Sequence, residues 1–312
     1  QEARRQRQMC IRDRPMHVTH IQFHSYGNNG DKKFSSASVE IANILNNTDN
    51  LTCDVGQIMF GQTVTMSGDS MSQHKNHKHA HPHKWMCMDI ECDAGCGVVP
   101  FKYRDNIYVN AMQWVIGLEI FLLANDPWKI FLTTDHPNGG PFTSYPHLIK
   151  LLMNKSFRDD ILAQLPPDVQ KHSVLKSIKR EYTLNEIAIM TRSAPAEILG
   201  LYKKGNFSFG SDADITIYDT KINDIEEMFA HPSMVLKNGT VVVKDGKIKE
   251  YLWGKTHTVK PDYDESIQKT LSKYFEKNHT MSLENYQISN QEMIDHIGSE
   301  VETTDCKYSR KQ

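Results

Sequence analysis

The sequence predicts an α/β protein with its chemistry at the carboxyl ends of parallel strands, and three stretches carry that reading. The first is Lys129-Ile130-Phe131-Leu132-Thr133-Thr134-Asp135-His136-Pro137-Asn138-Gly139-Gly140, an apolar run ending in an acid before Pro and Gly stop any continuation. It reads as a buried strand that delivers Asp135 to a turn. Side chains at such strand ends face the ligand site in parallel sheets and barrels, so Asp135 is a candidate ligand or base; the plain alternative is an Asp capping the turn. The second is Met16-His17-Val18-Thr19-His20-Ile21-Gln22-Phe23-His24-Ser25-Tyr26-Gly27. Strand period two puts His20, Gln22 and His24 on one face and His17, Thr19, Ile21 and Phe23 on the other. Paired imidazoles and a strand-end carboxylate together suit a hard or borderline metal such as zinc. The third lies beyond Asp214, where strands are expected over 215–218, 233–236 and 240–243, separated by the hairpin turns Lys237-Asn238-Gly239 and Lys244-Asp245-Gly246-Lys247.

Between these stretches lies a longer pattern. Thr191-Arg192-Ser193-Ala194-Pro195-Ala196-Glu197-Ile198-Leu199-Gly200-Leu201 is followed by Lys204-Gly205, then Gly210-Ser211-Asp212-Ala213-Asp214 and a strand. This order resembles the closing signature of the amidohydrolase superfamily, metal-dependent hydrolases on a (β/α)8 barrel beside a small β-sandwich. The strings HVTHIQFHSYG, QWVIGLEIFLLANDPWKIFLTTDHPNGGPFTSYPHLIKLLM and REYTLNEIAIMTRSAPAEILGL narrow the likeness to the family of the amidohydrolase-type subunits of formylmethanofuran dehydrogenase. In that superfamily a His-x-His pair stands on the first barrel strand, a lysine on the fourth, histidines on the fifth and sixth and an aspartate on the eighth. By resemblance HVTH corresponds to the sixth and LTTD to the eighth, and the others have no counterpart. A complete barrel takes about 250 residues, so the expectation is a C-terminal fragment: the last strands of a (β/α)8 barrel with the C-terminal part of a β-sandwich domain.

The expected division is a non-native or disordered segment over 1–15, the barrel part over 16–200 with an insertion at about 56–110, the sandwich portion over 201–254 and a C-terminal extension over 255–312. The arginine-rich start, QEARRQRQMCIRDR, lacks the apolar centre of a signal peptide. A helix is expected over 38–46 and a strand over 51–60, from which Asp54 or Gln57 could reach the site. The insertion is expected because a strand and helix of such a barrel average on the order of 30 residues, and 21–130 exceeds two units. Within it His74, His77, His79, His81 and His83 read as a solvated loop rather than a metal trap. Cys87, Cys92 and Cys96 lack the paired C-x2-C spacing of zinc sites and read as free thiols. Residues 111–124 are apolar enough for a buried helix packed against the barrel, with Trp114, Leu118, Phe121 and Leu122 on one face. Helix is expected over 156–179 with a break at Pro166-Pro167, and again from a Thr183 N-cap to Thr191. Residues 265–277 read as helical, and 301–312 as a fraying end.

With 312 residues, 24% charged and 39% hydrophobic, the composition is that of a globular protein. A net charge of −2 and a pI near 6.8 give no electrostatic case for nucleic acid or an anionic membrane. No apolar stretch approaches the roughly 20 residues of a membrane-spanning helix, and six sparse cysteines suit a reduced cytoplasm. The resemblance implies a zinc-dependent hydrolytic subunit, with two metal ions whose ligands are in part missing here. It implies the reversible reaction of formate and methanofuran to N-formylmethanofuran and water. Asp135 would be ligand and proton shuttle, with His20 the leading zinc ligand, His24 and His17 its alternatives, and Asn138 or His136 touching substrate. The partners implied are the other subunits of the complex, one of which supplies formate through a tungsten or molybdenum pterin with Fe–S clusters. The other readings are a component of the related bacterial formyltransferase/hydrolase complex, a cyclic-amide hydrolase of the dihydropyrimidinase type and a non-catalytic scaffold subunit.

Overall fold

The computed structural model describes residues 16–28, 34–66, 71, 75, 98–299 and 301–306. The arginine-rich start over 1–15, the five histidines between His74 and His83, and Cys87, Cys92 and Cys96 lie outside the described residues. The chain falls into two compact units, Gln1–Thr65 with Pro100–Glu250, and Met66–Val99 with Tyr251–Gln312.

In the first unit β1 (Met16–Val18) gives way to a 3-10 turn, Ile21–His24, and then to an antiparallel pair, β2 (Tyr26–Asn28) and β3 (Phe34–Ser36). Helix α1 (Ser38–Asn46) leads to β4 (Leu51–Gly56). A ribbon of β5 (Gly61–Met66) and β6 (Val98–Tyr103) precedes α2 (Tyr108–Leu123), which leads to β7 (Ile130–Thr133). Strands β1, β4 and β7 make one parallel sheet in sequence order, because parallel neighbours need a crossover and the two helices supply it. The strand expected over 51–60 ends at Gly56. Register sets His17 beside Thr52 and Asp54 beside Phe131, so these four share a face. Cys53, Val55, Ile130 and Leu132 fill the opposite face and are buried in the core.

The expected buried helix is α2, and every residue from Asn110 to Leu122 is buried. A helix enclosed on all sides must pair its polar groups internally. Glu119 does so by accepting five hydrogen bonds, from Ser38 Oγ (2.6 Å), Ser36 Oγ (2.7 Å), Val174 N (2.7 Å), Ser173 Oγ (2.8 Å) and Leu175 N (3.2 Å). One carboxylate thus ties β3 and α1 to the turn after α3 (Tyr145–Met153), α4 (Lys155–Gln164) and α5 (Pro167–Lys171). The break between α4 and α5 falls at Pro166-Pro167, where Pro166 is extended with ψ 138.

Thr183 caps α6 (Leu184–Ala188) with a capping box to Glu186. The helix does not stop at Thr191: a π-turn, Ile189–Ser193, carries it into α7 (Ala194–Ile198). Pro195 has no N–H for the Thr191 carbonyl, and Arg192 Nη1 takes that oxygen at 3.1 Å. Next come β8 (Ile215–Ile217), α8 (Ile225–Ala230), β9 (Met234–Lys237), β10 (Thr240–Lys244) and β11 (Lys247–Ile248), an antiparallel sheet in the order β11-β10-β9-β8. Both hairpins turn through paired positive φ values, at Asn238 and Gly239 and at Asp245 and Gly246, as two-residue turns require.

The second unit holds β12 (Thr256–Pro261), α9 (Ile267–Asn278), α10 (Asn290–Ile297) and β13 (Val301–Cys306). Residues 301–306 do not fray. β13 pairs in parallel with β12 over six positions, and its Val301, Thr303 and Thr304 are β-branched residues that favour a strand. Among the described residues no helix is long and apolar enough to cross a membrane.

The Glu119 latch predicts that Glu119→Gln, nearly isosteric but short of acceptors, leaves at least two buried donors unpaired and lowers the unfolding free energy by about 3 kcal/mol in urea titrations. An unchanged midpoint and slope would show that the carboxylate holds nothing.

Candidate active site

The half-exposed face of the parallel sheet carries the chemistry. Asp54 stands on β4 with a core residue on either side of it, so strand alternation turns its carboxylate outward. Its Oδ2 accepts from His17 Nε2 at 3.0 Å, and His17 Nδ1 meets Thr52 Oγ1 at 3.0 Å while its ring stacks on Phe131. Asp54 Oδ1 accepts twice from His20, from the backbone N–H at 2.9 Å and from Nδ1 at 2.6 Å. His20 Nε2 then reaches Asp135 Oδ1 at 2.9 Å. Asp135 Oδ2 accepts from Asn138 Nδ2 at 2.5 Å, and Asn138 N donates to the Asp135 carbonyl at 2.6 Å. The result is a continuous chain His17, Asp54, His20, Asp135, Asn138.

Its geometry corrects the period-two reading of the histidines. β1 ends at Val18, and His20 turns away in the left-handed region at φ 51. Asp135, just past β7, does the same at φ 50. Each is a conformation that side-chain-bearing residues take at a cost of about 1–3 kcal/mol unless their surroundings hold them; here the hydrogen bonds to Asp54 and Asn138 do so. The 3-10 turn after His20 carries Gln22 into the interior and leaves His24 exposed, so the two no longer share a face with His20. His24 joins none of the hydrogen bonds in this chain. His136 also lies aside: it is exposed, and its Nδ1 accepts from Phe142 N at 3.0 Å.

The turn after Asp135 is fixed from below. Gly139 N donates to the Thr134 carbonyl at 2.9 Å and Met59 N to the Gly139 carbonyl at 2.8 Å. A Cβ on Gly139 would lie 2.4 Å from the Thr134 carbonyl oxygen and 2.7 Å from that of Gln57, so only glycine permits this approach. Gly56 similarly faces the His20 ring, where a Cβ would meet it at 3.2 Å.

Both ring nitrogens of His20 donate to carboxylates, which is possible only for the imidazolium. The hydrogen bonds to Asp135 and then Asp54 raise its pKa from 6.5 to about 9 against the opposing effect of burial. Burial pushes the Asp54 carboxyl up, but the bonds from His20 and His17 outweigh it and hold that group below its ordinary 3.8. Burial pushes the neighbouring Cys53 thiol up to about 12, which leaves it inert as a nucleophile.

Two imidazoles and two carboxylates are suitable donors for zinc, but a zinc site needs at least three protein donors around one point. Among the described residues no group of three or more His, Cys, Asp or Glu side chains is arranged to hold a metal ion. The expected metal pair is therefore not formed by these residues alone. The side chains follow one another as donor and acceptor rather than converging, and His20 spends both nitrogens on carboxylates. A separate apolar groove of about 660 Å³, lined by Ile187, Pro195, Phe207, Tyr218 and Phe229 among others, contains none of these residues.

The double bridge makes a pH prediction for the chain freed of metal by chelation. His20, raised on folding, contributes its full stabilisation below pH 6.5 and loses it as pH rises through about 9, whereas Asp54, lowered on folding, contributes above 3.8 and loses it as pH falls. The His20 ring protons should titrate near pH 9 by NMR, and Asp135→Asn should bring that midpoint towards 6.5. A wild-type midpoint near 6.5 would mean that the bridge does not exist.

Comparison with known proteins gives this geometry its context. Residues 8–243 match the amidohydrolase family. The chain is 39% identical over 292 residues to the A subunit of the formyltransferase/hydrolase complex Fhc of Methylorubrum extorquens, covering 92% of this chain and 53% of that protein. It is 40% identical over 291 residues to protein FwdA of Methanocaldococcus jannaschii, covering 90% and 51%. The crystal structure of the formyltransferase/hydrolase complex FhcABCD of Methylorubrum extorquens with methylofuran superposes with a TM-score of 0.75 at 39% identity, over 94% of this chain and 54% of that one. The chain spans about half the length of the curated relatives it matches. On a match covering most of its length, and with a strand-end aspartate set against a histidine, the chain belongs to the amidohydrolase family.

Proposed function

We propose that this chain contributes to the hydrolytic subunit of a formylmethanofuran dehydrogenase or of the related formyltransferase/hydrolase complex, acting on the N-formyl group of a furan-linked amine. The observation that carries the reading is the contact of Asp135 with His20 at the carboxyl end of a parallel strand. The two relatives stand at nearly equal identity, 39% and 40%, which favours the chemistry they would share over either pathway. That chemistry is N-formylmethanofuran plus water to and from methanofuran plus formate.

In this reading Asp135 takes the proton of the attacking water and returns it to the amide nitrogen as the C–N bond breaks. Asp135 already accepts from His20 and Asn138, which hold its carboxylate at the strand end. In the metal-free chain the His20 imidazolium keeps that carboxylate charged and aimed. Zinc, in a binuclear arrangement, is the proposed cofactor, and when bound it would supply a water acidic enough to attack at neutral pH. His20 and Asp135 are the proposed donors from this chain, ahead of His17 and His24, and completing the set requires donors beyond the described residues. Asn138 is the closer of the two proposed substrate contacts, and His136 the more remote. In the cytoplasm, partner subunits with tungsten or molybdenum pterin and Fe–S clusters would exchange formate with this centre.

The test is formate release from an N-formylated furfurylamine substrate by the full-length protein, with metal content measured on the same sample. Asp135→Asn should lower kcat on the order of 10³-fold, within the range for a lost acid–base group, with the fold intact by circular dichroism. Turnover at the wild-type rate in that variant would remove Asp135 from the mechanism. A full-length protein with no stoichiometric zinc and no formate release would be a scaffold subunit instead.

A further inference from the structure

Beneath the two turns that bring His20 and Asp135 together lie two fully buried glutamines. Gln22 follows His20 by two residues, in the 3-10 turn that starts there. Gln57 follows β4 and belongs to the layer under the Asp135 turn: its N–H donates to the Thr133 carbonyl at 3.0 Å, and its carbonyl packs so closely on Gly139 that no Cβ fits there. Each glutamine reaches to the same turn of α2. Gln22 Nε2 donates to the Gln113 carbonyl at 2.9 Å, and Gln57 Nε2 to the next carbonyl along, that of Trp114, at 3.0 Å, as well as to the Ile58 carbonyl at 2.9 Å.

Because all three acceptors are carbonyl oxygens, the amide orientations are fixed and the two Oε1 atoms point the other way. Both converge on Gly117: a Cβ there would lie 2.1 Å from Gln57 Oε1 and 2.7 Å from Gln22 Oε1. Among the described residues neither oxygen has a hydrogen-bond donor. Leaving buried amide oxygens so costs on the order of 1–3 kcal/mol each, and leucine would fill the same volume at no such cost. What glutamine adds over leucine at these positions is the set of directional bonds to one rigid helix.

We propose that Gln22 and Gln57 are positioning residues, which register the His20 turn and the Asp135 turn against adjacent carbonyls of α2 at Gly117 and so set the His20–Asp135 contact. The helix is the common reference: it is enclosed on all sides, and a shift of either amide moves one partner of the 2.9 Å contact relative to the other. The catalytic consequence rests on the hydrolase reading above; the geometric one does not.

The experiment uses the full-length protein with three variants: Gln57→Ala, Gly117→Ala, and the two combined. Gly117→Ala drives a methyl group to 2.1 Å from Gln57 Oε1 and 2.7 Å from Gln22 Oε1, and removing the Gln57 side chain relieves the closer clash and opens space into which the Gln22 amide can shift. The expected result for the double variant is a Tm restored towards wild type with kcat still down on the order of 100-fold, the effect of misplacing catalytic groups by about 1 Å, and KM changed less than kcat. Gln57→Ala alone should show the same fall in kcat. The metal-free crystal structure of Gln57→Ala should show His20 Nε2 and Asp135 Oδ1 separated beyond hydrogen-bonding distance, about 3.5 Å, where the metal-free wild type keeps them in contact. Recovery of both Tm and kcat in the double variant would make the pair a packing feature and overturn the proposal, as would an unmoved contact in the Gln57→Ala structure. If Gly117→Ala does not fold, Gln57→Ala decides the matter alone. A wild-type protein without formate release would instead defeat the hydrolase reading, and the contact distance would still test the positioning.

Discussion

A single imidazolium held between two carboxylates is the constraint on which this site depends. His20 spans Asp54 on β4 and Asp135 at the end of β7, so one ring joins two strands that the backbone already pairs in parallel. Its positive charge offsets the desolvation of Asp54, and Asp54 in turn takes the His20 backbone N–H and holds the left-handed turn from which the ring projects. Each acid separately favours the charged ring, and Asp54 alone holds its backbone and Nδ1. A metal ion at this site would compete with the Nε2 proton for the same nitrogen, which is why the protonated bridge and a bound metal exclude one another at His20.

The scaffold beneath serves this arrangement by being full. α2 has no solvent face, and its polar residues are committed to segments far apart in sequence: Glu119 to the turn at 173–175 and to Ser36 and Ser38, and the carbonyls of Gln113 and Trp114 to the glutamines under the site. Close-packed interiors transmit displacement rather than absorb it, so a helix packed on β3, β4, α1, α3 and α5 fixes their relative positions. The glycines at 56, 117 and 139 mark where the layers approach more closely than a methyl group allows.

The stretch that most plainly identifies the family is structural rather than chemical. Lys204 pairs with Asp214 at 2.5 Å and with Asp212 at 3.0 Å, and Asp214 Oδ1 accepts from Asn238 N at 2.7 Å. Gly205, at φ 70, lets the turn lie against the Arg192 carbonyl and Ala196. These residues close the joint between the π-bulged helix and the antiparallel sheet. Their regular spacing follows from local turn geometry, whereas the residues proposed for chemistry come from three strands and carry no fixed spacing.

The sequence alone determined whatever depends on neighbours a few residues away: the apolar run ending at Asp135, the Thr183 capping box, the break at Pro166-Pro167 and the two hairpin turns. It also marked Asp135, His20 and His17, and Asp54 as a residue that could reach them. Only the tertiary structure decided how they meet. A strand of three residues cannot sustain a period-two pattern, so His24 left the face assigned to it, and His20 and Asp135 reached each other through left-handed turns stabilised by Asp54 and Asn138. β13 formed at a segment expected to fray because β12, which precedes it by two helices, offers its edge for parallel pairing. Local propensity is written in adjacent residues; a hydrogen bond between side chains 34 positions apart in sequence is written only in the fold that brings them together.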